Sequence, residues 1–296
     1  MNRKTVKTAF SLEIKRLLFG IAPYIYFGAM TLIAAFYTVY LNFYSAIPDL
    51  QYTLRYLPLP IMLLLPFVTA GAFADKRGSD RMLISLGADY ASLLLGRLLA
   101  LCAVSVSPVL PMLALPPVIG SLGSISYTGA YLGLLSVTLF SVAYCSALTL
   151  ISAACGSKRL CYLISYAFFL AVYLGDMVHA ALPVKALPMT LVAVTLSALI
   201  SLSIFAFTRR ATAPLTVFSA ITVVFCVLCN AFKSLAHKVM TAILALIIPT
   251  APVGELLNGS LLDARYFLYP LLFTALCFTA AYLCLERRRQ DLKEGK

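Results

Sequence analysis

Apolar and polar positions alternate in this chain on the scale of whole helices, not of single residues. Eight long stretches are almost free of charge: Leu17–Leu41, Leu57–Ala74, Leu98–Val118, Ala130–Ala154, Leu160–Val178, Met189–Phe207, Leu215–Phe232 and Tyr266–Leu285, with only Asp176 inside them. A helix that crosses hydrocarbon needs about 20 mostly apolar residues, so each stretch is long enough to be a span. The second and seventh are short and would cross with little tilt, and hydrophobicity alone admits seven to nine spans. Residue-by-residue alternation is missing, which excludes an outer-membrane barrel. The pattern predicts an all-α, polytopic membrane protein of about eight spans, a single transmembrane domain over residues 1–296.

Composition strengthens this reading. Of 296 residues, 62% are hydrophobic and 11% charged, whereas soluble domains are about half apolar and a quarter charged. The 23 basic residues are distributed unevenly. With the N-terminus in the cytoplasm, Arg3, Lys4, Lys7, Lys15, Arg16, Lys76, Arg77, Arg81, Arg97, Lys158, Arg159, Arg209, Arg210 and the tail residues Arg287, Arg288, Arg289, Lys293 and Lys296 all fall inside. Arg55, Lys185, Lys233, Lys238 and Arg265 fall outside. That is the bias of the positive-inside rule, and moving one span would spoil it. The expected topology is eight spans in the cell membrane with both termini cytoplasmic. The net charge of +12 follows from basic loops beside an anionic leaflet and does not argue for nucleic acid. The basic N-terminus could open a signal peptide, but the first block runs 25 residues without a cleavage-type ending, so it is expected to be retained.

Candidate chemistry is sparse. There is no Walker-type phosphate loop, no glycine-rich dinucleotide motif and no HExxH. No catalytic residue, cofactor or metal is expected. Cys226-Val-Leu-Cys229 has metal-like spacing but lies in an apolar stretch without a second pair of ligands, short of the four a structural zinc site needs. Ion-coupled transporters usually hold ionisable groups at mid-membrane; here only Asp176 comes near, close to the outer surface.

Two segments look mechanical. In Thr5–Leu18, Val6, Phe10, Ile14 and Leu17 recur at three- and four-residue spacing, with Lys7, Glu13, Lys15 and Arg16 at the other positions. This predicts an amphipathic helix along the inner membrane surface, with residues 1–16 cytoplasmic; a plain basic topogenic tail is the alternative. The loop 75–97 begins with charges of both signs at Asp75, Lys76, Arg77, Asp80 and Arg81, continues through apolar Met82-Leu83-Ile84, and starts a helix near Asp89. An inside loop needs only basic residues, so the apolar knob suits docking to a cytoplasmic partner.

From this loop onward the sequence resembles the membrane subunits of ABC-2 type transporters, in the branch of the gliding-motility-associated and Firmicute-type permeases. The resemblance rests on Phe73-Ala-Asp-Lys-Arg77, Met82-Leu-Ile-Ser85 and Leu95-Gly-Arg97, then on Ile151-Ser-Ala-Ala-Cys-Gly-Ser-Lys158 with Leu163-Ile-Ser-Tyr166. At the end it includes Glu255, Gly259, Leu262-Asp263, Tyr266, Tyr269 and Leu285-Glu-Arg-Arg-Arg289. The motifs are individually short, and their common order carries the match. Arg81 stands where the family has Glu, Gly87 where it has Pro, and Gly156-Ser157-Lys158 where it has Glu-Asn-Gln. Spans six and seven are a pair beyond the usual six.

The resemblance implies an ABC-2, type V exporter-like fold and the function of an exporter permease. ATP would be hydrolysed by a separate ATPase subunit, and two permease chains, identical or paralogous, would work with two ATPase chains. Asp75, Lys76, Arg77, Asp80, Arg81, Met82, Leu83 and Asp89 would couple to that ATPase, and the second cytoplasmic turn at Ser157, Lys158 and Arg159 would lie on the same surface. Spans two and five would line the central interface, where Pro58, Pro60 and Pro66 let span two bend. The outer segment 233–265 carries an apolar stripe broken by Pro249 and Pro252. It reads as an interfacial helix and a re-entrant or capping turn around Glu255, Gly259 and Asp263, which could be an outer gate, a lid or a ninth partial span. Two further readings stay open: a secondary transporter, which would want mid-membrane charge and an inverted repeat, and a non-transporting scaffold or accessory permease. Lipids, peptides, drug-like amphiphiles and polysaccharides are all compatible cargo.

Overall fold

The computed structural model describes residues 3–45, 47, 49–73, 90–121, 123–155, 157–181, 219, 222–223 and 264–293. Predicted span six, all of span seven except 219 and 222–223, the loop residues Asp75 to Asp89, the Cys226–Cys229 pair and the outer segment as far as Asp263 lie outside them. Among the described residues regular structure is entirely helical. The chain forms two compact units, residues 1–169 with 249–296, and residues 170–248. Of the second unit, residues 170–181 are helical, as are the short described pieces at 219 and 222–223.

In the first unit, α1 (Arg3–Leu18) is followed by α2 (Ile21–Tyr37), which continues as a π-helical segment, Thr38–Tyr44. Then come α3 (Leu50–Tyr56), α4 (Pro58–Thr69), α5 (Tyr90–Val106), α6 (Val109–Met112), α7 (Leu115–Gly120), α8 (Tyr127–Ala154), the start of α9 (Lys158–Ala181) and α10 (Ala264–Lys293). Three helical stretches, Ile21–Tyr44, Tyr127–Ala154 and Phe267–Arg287, are long and apolar enough to cross a membrane. Two bent pairs, α3 with α4 and α5 with α6–α7, raise that number to five if each pair is one span. The protein is a helical membrane protein. Its first span begins at Ile21, four residues later than hydrophobicity predicts, because Phe19–Gly20 break the helix and Leu17 is buried as part of α1.

Helix α8 is the axis of this unit. Its most apolar stretch is 67% buried, against 22% for α2 with its π extension and 28% for α10. Small residues make this possible: Ala130, Gly133, Ser136, Ala143, Ala147 and Ala153 are all buried, and small side chains let apolar helices approach closely in a membrane. Helices α4, α5 and α10 pack around it. The outward residues of α2, Phe36, Tyr40 and Tyr44, form an exposed ladder with ring centroids 6.1 Å apart and nearly parallel planes. Lipid contact accounts for such a surface, and tyrosines favour the membrane–water interface.

Both bends fall beside a proline, one at the start of the span that the sequence predicts can bend and one that the sequence does not anticipate, and side-chain hydroxyls satisfy the carbonyls that Pro66 and Pro108 free. Between α3 and α4 the axis turns by 42° at Leu57, with Pro58 in the first turn of α4, where a missing N–H is harmless. Pro66 lies inside α4 and cannot donate to the Met62 carbonyl. The buried Tyr144 hydroxyl of α8 donates to that carbonyl at 3.2 Å, and the Tyr166 hydroxyl of α9 donates to the neighbouring Leu63 carbonyl at 3.3 Å. In the other bent pair, the axis turns by 41° around Ser107–Pro108. There the Ser107 hydroxyl donates to the Val104 carbonyl at 2.8 Å and the Tyr26 hydroxyl donates to the Ser105 carbonyl at 2.9 Å.

The end of the unit remote from α1's basic residues is closed by Asn42. Its side-chain amide donates to the carbonyls of Ile47 (2.9 Å) and Asp49 (2.7 Å), and its carbonyl accepts from the Thr53 hydroxyl at 2.6 Å. Asp49 then caps α3 by accepting from the Gln51 amide at 2.9 Å. A fully satisfied buried amide fixes the turn between the first two spans without leaving a polar group dry.

These bonds predict a specific non-additivity. Tyr144→Phe should destabilise the protein by about 1–3 kcal/mol, the cost of a buried unsatisfied carbonyl. In a Pro66→Ala background the new backbone N–H takes over the Met62 carbonyl, and the cost of Tyr144→Phe should fall to well under half. Thermal unfolding of the four proteins in detergent, followed by a thiol-reactive dye, reads the cycle; equal costs in both backgrounds would refute the shared acceptor.

Candidate functional site

The candidate surface is built where α1, the end of α4, the start of α5 and the α8–α9 turn come together. Gly96 on α5 makes the meeting possible. A Cβ there would lie 2.7 Å from the Cβ of Ala9, 2.8 Å from the carbonyl oxygen of Val6 and 3.0 Å from the backbone nitrogen of Phe10. Two of those atoms are backbone and cannot swing aside, so only glycine allows α1 to cross α5 at this distance.

The close crossing buries Glu13, which sequence periodicity assigns to the polar side of α1. Ala9, Glu13 and Leu17 form its buried line, while Val6, Phe10 and Ile14 are half-buried at its flanks. Glu13 is 3% exposed and Arg97, one residue beyond the glycine, 4%. The Arg97 Nε stands 3.6 Å from Glu13 Oε2, and Arg16 Nη1 3.0 Å from Glu13 Oε1. The Arg97 guanidinium also lies over the Phe73 ring, 4.8 Å from its centroid, an attraction of about 0.5–2 kcal/mol. Burial raises the Glu13 carboxyl above its ordinary value of 4.5, against the lowering pull of Arg16 and then Arg97.

Arg16 connects this pair to the next turn, where its Nη2 donates to the Gly71 carbonyl at 3.4 Å. Gly71 is also flanked by Lys158: a Cβ at Gly71 would be 3.6 Å from Lys158 Cε and 3.7 Å from Arg16 Nη2. Ser152 ties the same turn to α8, its hydroxyl accepting from the Phe73 amide at 3.0 Å and donating to the Ala70 carbonyl at 3.4 Å. Ala70, Cys155 and Cys161 close the space beneath. Ser157 begins α9 by accepting from the Leu160 amide at 3.4 Å. Ser157, Lys158, Arg159 and Tyr162 line an open hollow of about 610 Å³.

Of the residues singled out by sequence, the structure brings Lys158 beside the Gly71 turn and Arg16, and Ser157 and Arg159 line the hollow with it. Asp75, Lys76, Arg77, Asp80, Arg81, Met82, Leu83 and Asp89, and the outer residues Glu255, Gly259 and Asp263, lie outside the described residues. The ends of the segment 74–89 are defined, however. The chain leaves at Phe73, against Arg97, and re-enters at Tyr90, at the start of α5. Sequence reading missed Glu13 and Gly96 as a matched pair. The signal was present in Leu95-Gly96-Arg97 together with one acidic residue on a basic helix, but nothing in the spacing says that these two segments meet. Among the described residues no three His, Cys, Asp or Glu side chains gather to hold a metal ion.

Because the folded-state Glu13 value is raised, the folded protein holds this proton more tightly than the unfolded chain does. Stability from this source is complete below about pH 4.5 and is lost as pH rises through the raised value. Glu13→Gln should remove that slope, so wild-type stability relative to the variant should decline with rising pH across this window; parallel melting curves from pH 4 to 8 would contradict it. Arg97→Met leaves a buried carboxylate with only half-exposed Arg16 and should cost up to about 3–5 kcal/mol. Glu13→Gln combined with Arg97→Met should recover most of the loss, measured by the same melts at pH 7. No family model matches the chain, and no curated protein matches it either.

Proposed function

We propose that the chain is the transmembrane permease subunit of an ABC-2 type exporter, driven by a separate ATPase subunit that docks on the segment 74–89. The observation that carries this reading is the anchoring of that segment. At one end, Phe73 packs on Arg97 and Gly71 accepts from Arg16; at the other, α5 is clamped to α1 by Gly96 and the Glu13–Arg97 pair. A force on the segment would reach α4 and α5 together, with α1 as the brace. Lys158, beside Gly71, brings the second cytoplasmic turn to the same surface.

In this reading the chain has eight spans with both termini in the cytoplasm, in keeping with its basic residues. Two such chains, or this chain and a paralogue, work with two ATPase subunits. ATP-driven closure of the ATPases moves the two bundles as rigid bodies about their shared interface. The bent α3–α4 pair supplies a span with two helical halves, and Tyr144 and Tyr166 tie the second half, α4, to α8 and α9. The chain itself binds and hydrolyses no ATP; its work is mechanical.

The tagged chain, purified in mild detergent, should carry a stoichiometric ATPase subunit, identified by mass spectrometry, with vanadate-sensitive activity. Arg81→Glu combined with Met82→Asp should reduce recovery of that subunit at least tenfold while the permease remains inserted and monodisperse. Recovery unchanged in the variant would remove the coupling role from residues 75–89. Absence of any ATPase, under conditions that preserve a known ABC complex, would favour a scaffold or secondary transporter.

A further inference from the structure

We infer that the hollow at the start of α9 binds the headgroup of an anionic phospholipid, with an acyl chain lying along the adjoining face of α9 and α4. Lys158 and Arg159 line the hollow, and a third cation, Arg16, flanks the Gly71 turn on the same side as Lys158. The Glu13 carboxylate is already engaged by Arg16 and Arg97. An anion between Lys158 and Arg159 relieves the repulsion of this cluster, and the Ser157 and Tyr162 hydroxyls add neutral donors. A space of about 610 Å³ is of the size that holds small ligands and headgroups.

The surface below the hollow selects an amphiphile over a free phosphate. Arg159, Tyr162, Leu163 and Tyr166 occupy one face of α9 at three- and four-residue spacing, beginning with a cation and continuing into apolar and aromatic groups. Leu163 is 67% exposed and Phe67 of α4 52%. The Phe67 ring contacts Tyr162 at 6.2 Å and Tyr166 at 6.0 Å between centroids. The exposed apolar wall thus belongs to both helices and starts at the rim of the cationic hollow. Basic pockets at the ends of membrane helices are where acidic headgroups bind, each nearby cation adding to the attraction. The inference needs only that the chain spans a membrane and is independent of the transporter reading.

The test is native mass spectrometry of the purified full-length chain in neutral detergent, titrated with phosphatidylglycerol, phosphatidylcholine or glycerol phosphate. The wild type should retain one saturable phosphatidylglycerol and bind phosphatidylcholine at least tenfold more weakly. Lys158→Gln with Arg159→Gln should weaken the first phosphatidylglycerol roughly tenfold or more, whereas Arg55→Gln, an exposed arginine on α3, should not. Leu163→Gln should weaken the lipid while leaving competition by glycerol phosphate unchanged. Equal retention of both lipids, or of phosphatidylglycerol by wild type and double variant, would overturn the site. Displacement by glycerol phosphate at the same concentration as the lipid would overturn the acyl-chain part and leave a phosphate site. A double variant that fails to remain folded leaves the decision to the wild-type comparison of the three ligands, which already separates these outcomes.

Discussion

Burying one carboxylate between two helices that touch backbone to backbone organises this end of the molecule. Glu13 could not enter the α1–α5 contact without a counterion, and Arg97 reaches it because Gly96, its neighbour, removes the side chain that would hold the helices apart. Desolvation still wins over the two guanidinium charges, since the carboxyl's proton affinity is raised, not lowered. The pair is therefore poor evidence for stability on its own. Its effect is positional: an apolar α1 could slide or rotate along α5, whereas a buried charge with one partner has one register.

The same logic governs the membrane-embedded backbone. A proline in an apolar helix leaves a carbonyl without a donor, and no water is at hand to replace it. The chain answers with hydroxyls brought from other elements: Tyr144 and Tyr166 to α4, Tyr26 to α5. Each bond spans 79 to 103 residues of sequence. Each therefore closes a loop of tertiary structure at the place where secondary structure is weakest. Beside the 41° bend the backbone is held from outside its own helix by Tyr26, and the second half of the 42° pair is held from outside by Tyr144 and Tyr166, so moving a neighbour would be felt there.

How far the sequence could be read follows from this division. The spans at Ile21–Tyr44, Tyr127–Ala154 and Phe267–Arg287 were legible because hydrocarbon asks only for length and apolarity, which are local properties. The bend at Pro58 was legible because proline acts on its own helix. What completes the structure was not, since Tyr144 reads as one more apolar-compatible aromatic, and Asn42 as a polar residue near the end of a span. Both acquire their roles from partners dozens of residues away, or from a turn whose shape they themselves create. Glu13 misleads for a related reason: helical periodicity sorts residues by polarity, and a carboxylate bound for a buried arginine looks like a solvated one. Lys158 and Arg159 were legible as a basic turn between two spans, but the hollow they line with Ser157 and Tyr162 is a shape that spacing alone does not give.

Arg16 joins the two halves of this surface. It lies between a carboxylate it helps to bury and a glycine turn that Lys158 also flanks. A guanidinium is a finite set of donors in a fixed fork. An anion seated beside Lys158 that drew Arg16 toward the turn and away from Glu13 would weaken the pull that lowers the carboxyl's proton affinity. Binding at the hollow and the protonation of Glu13 are then linked in both directions, because coupling between two sites is reciprocal. If the hollow holds an anionic lipid, the charge of the leaflet would help set how firmly α1 grips α5.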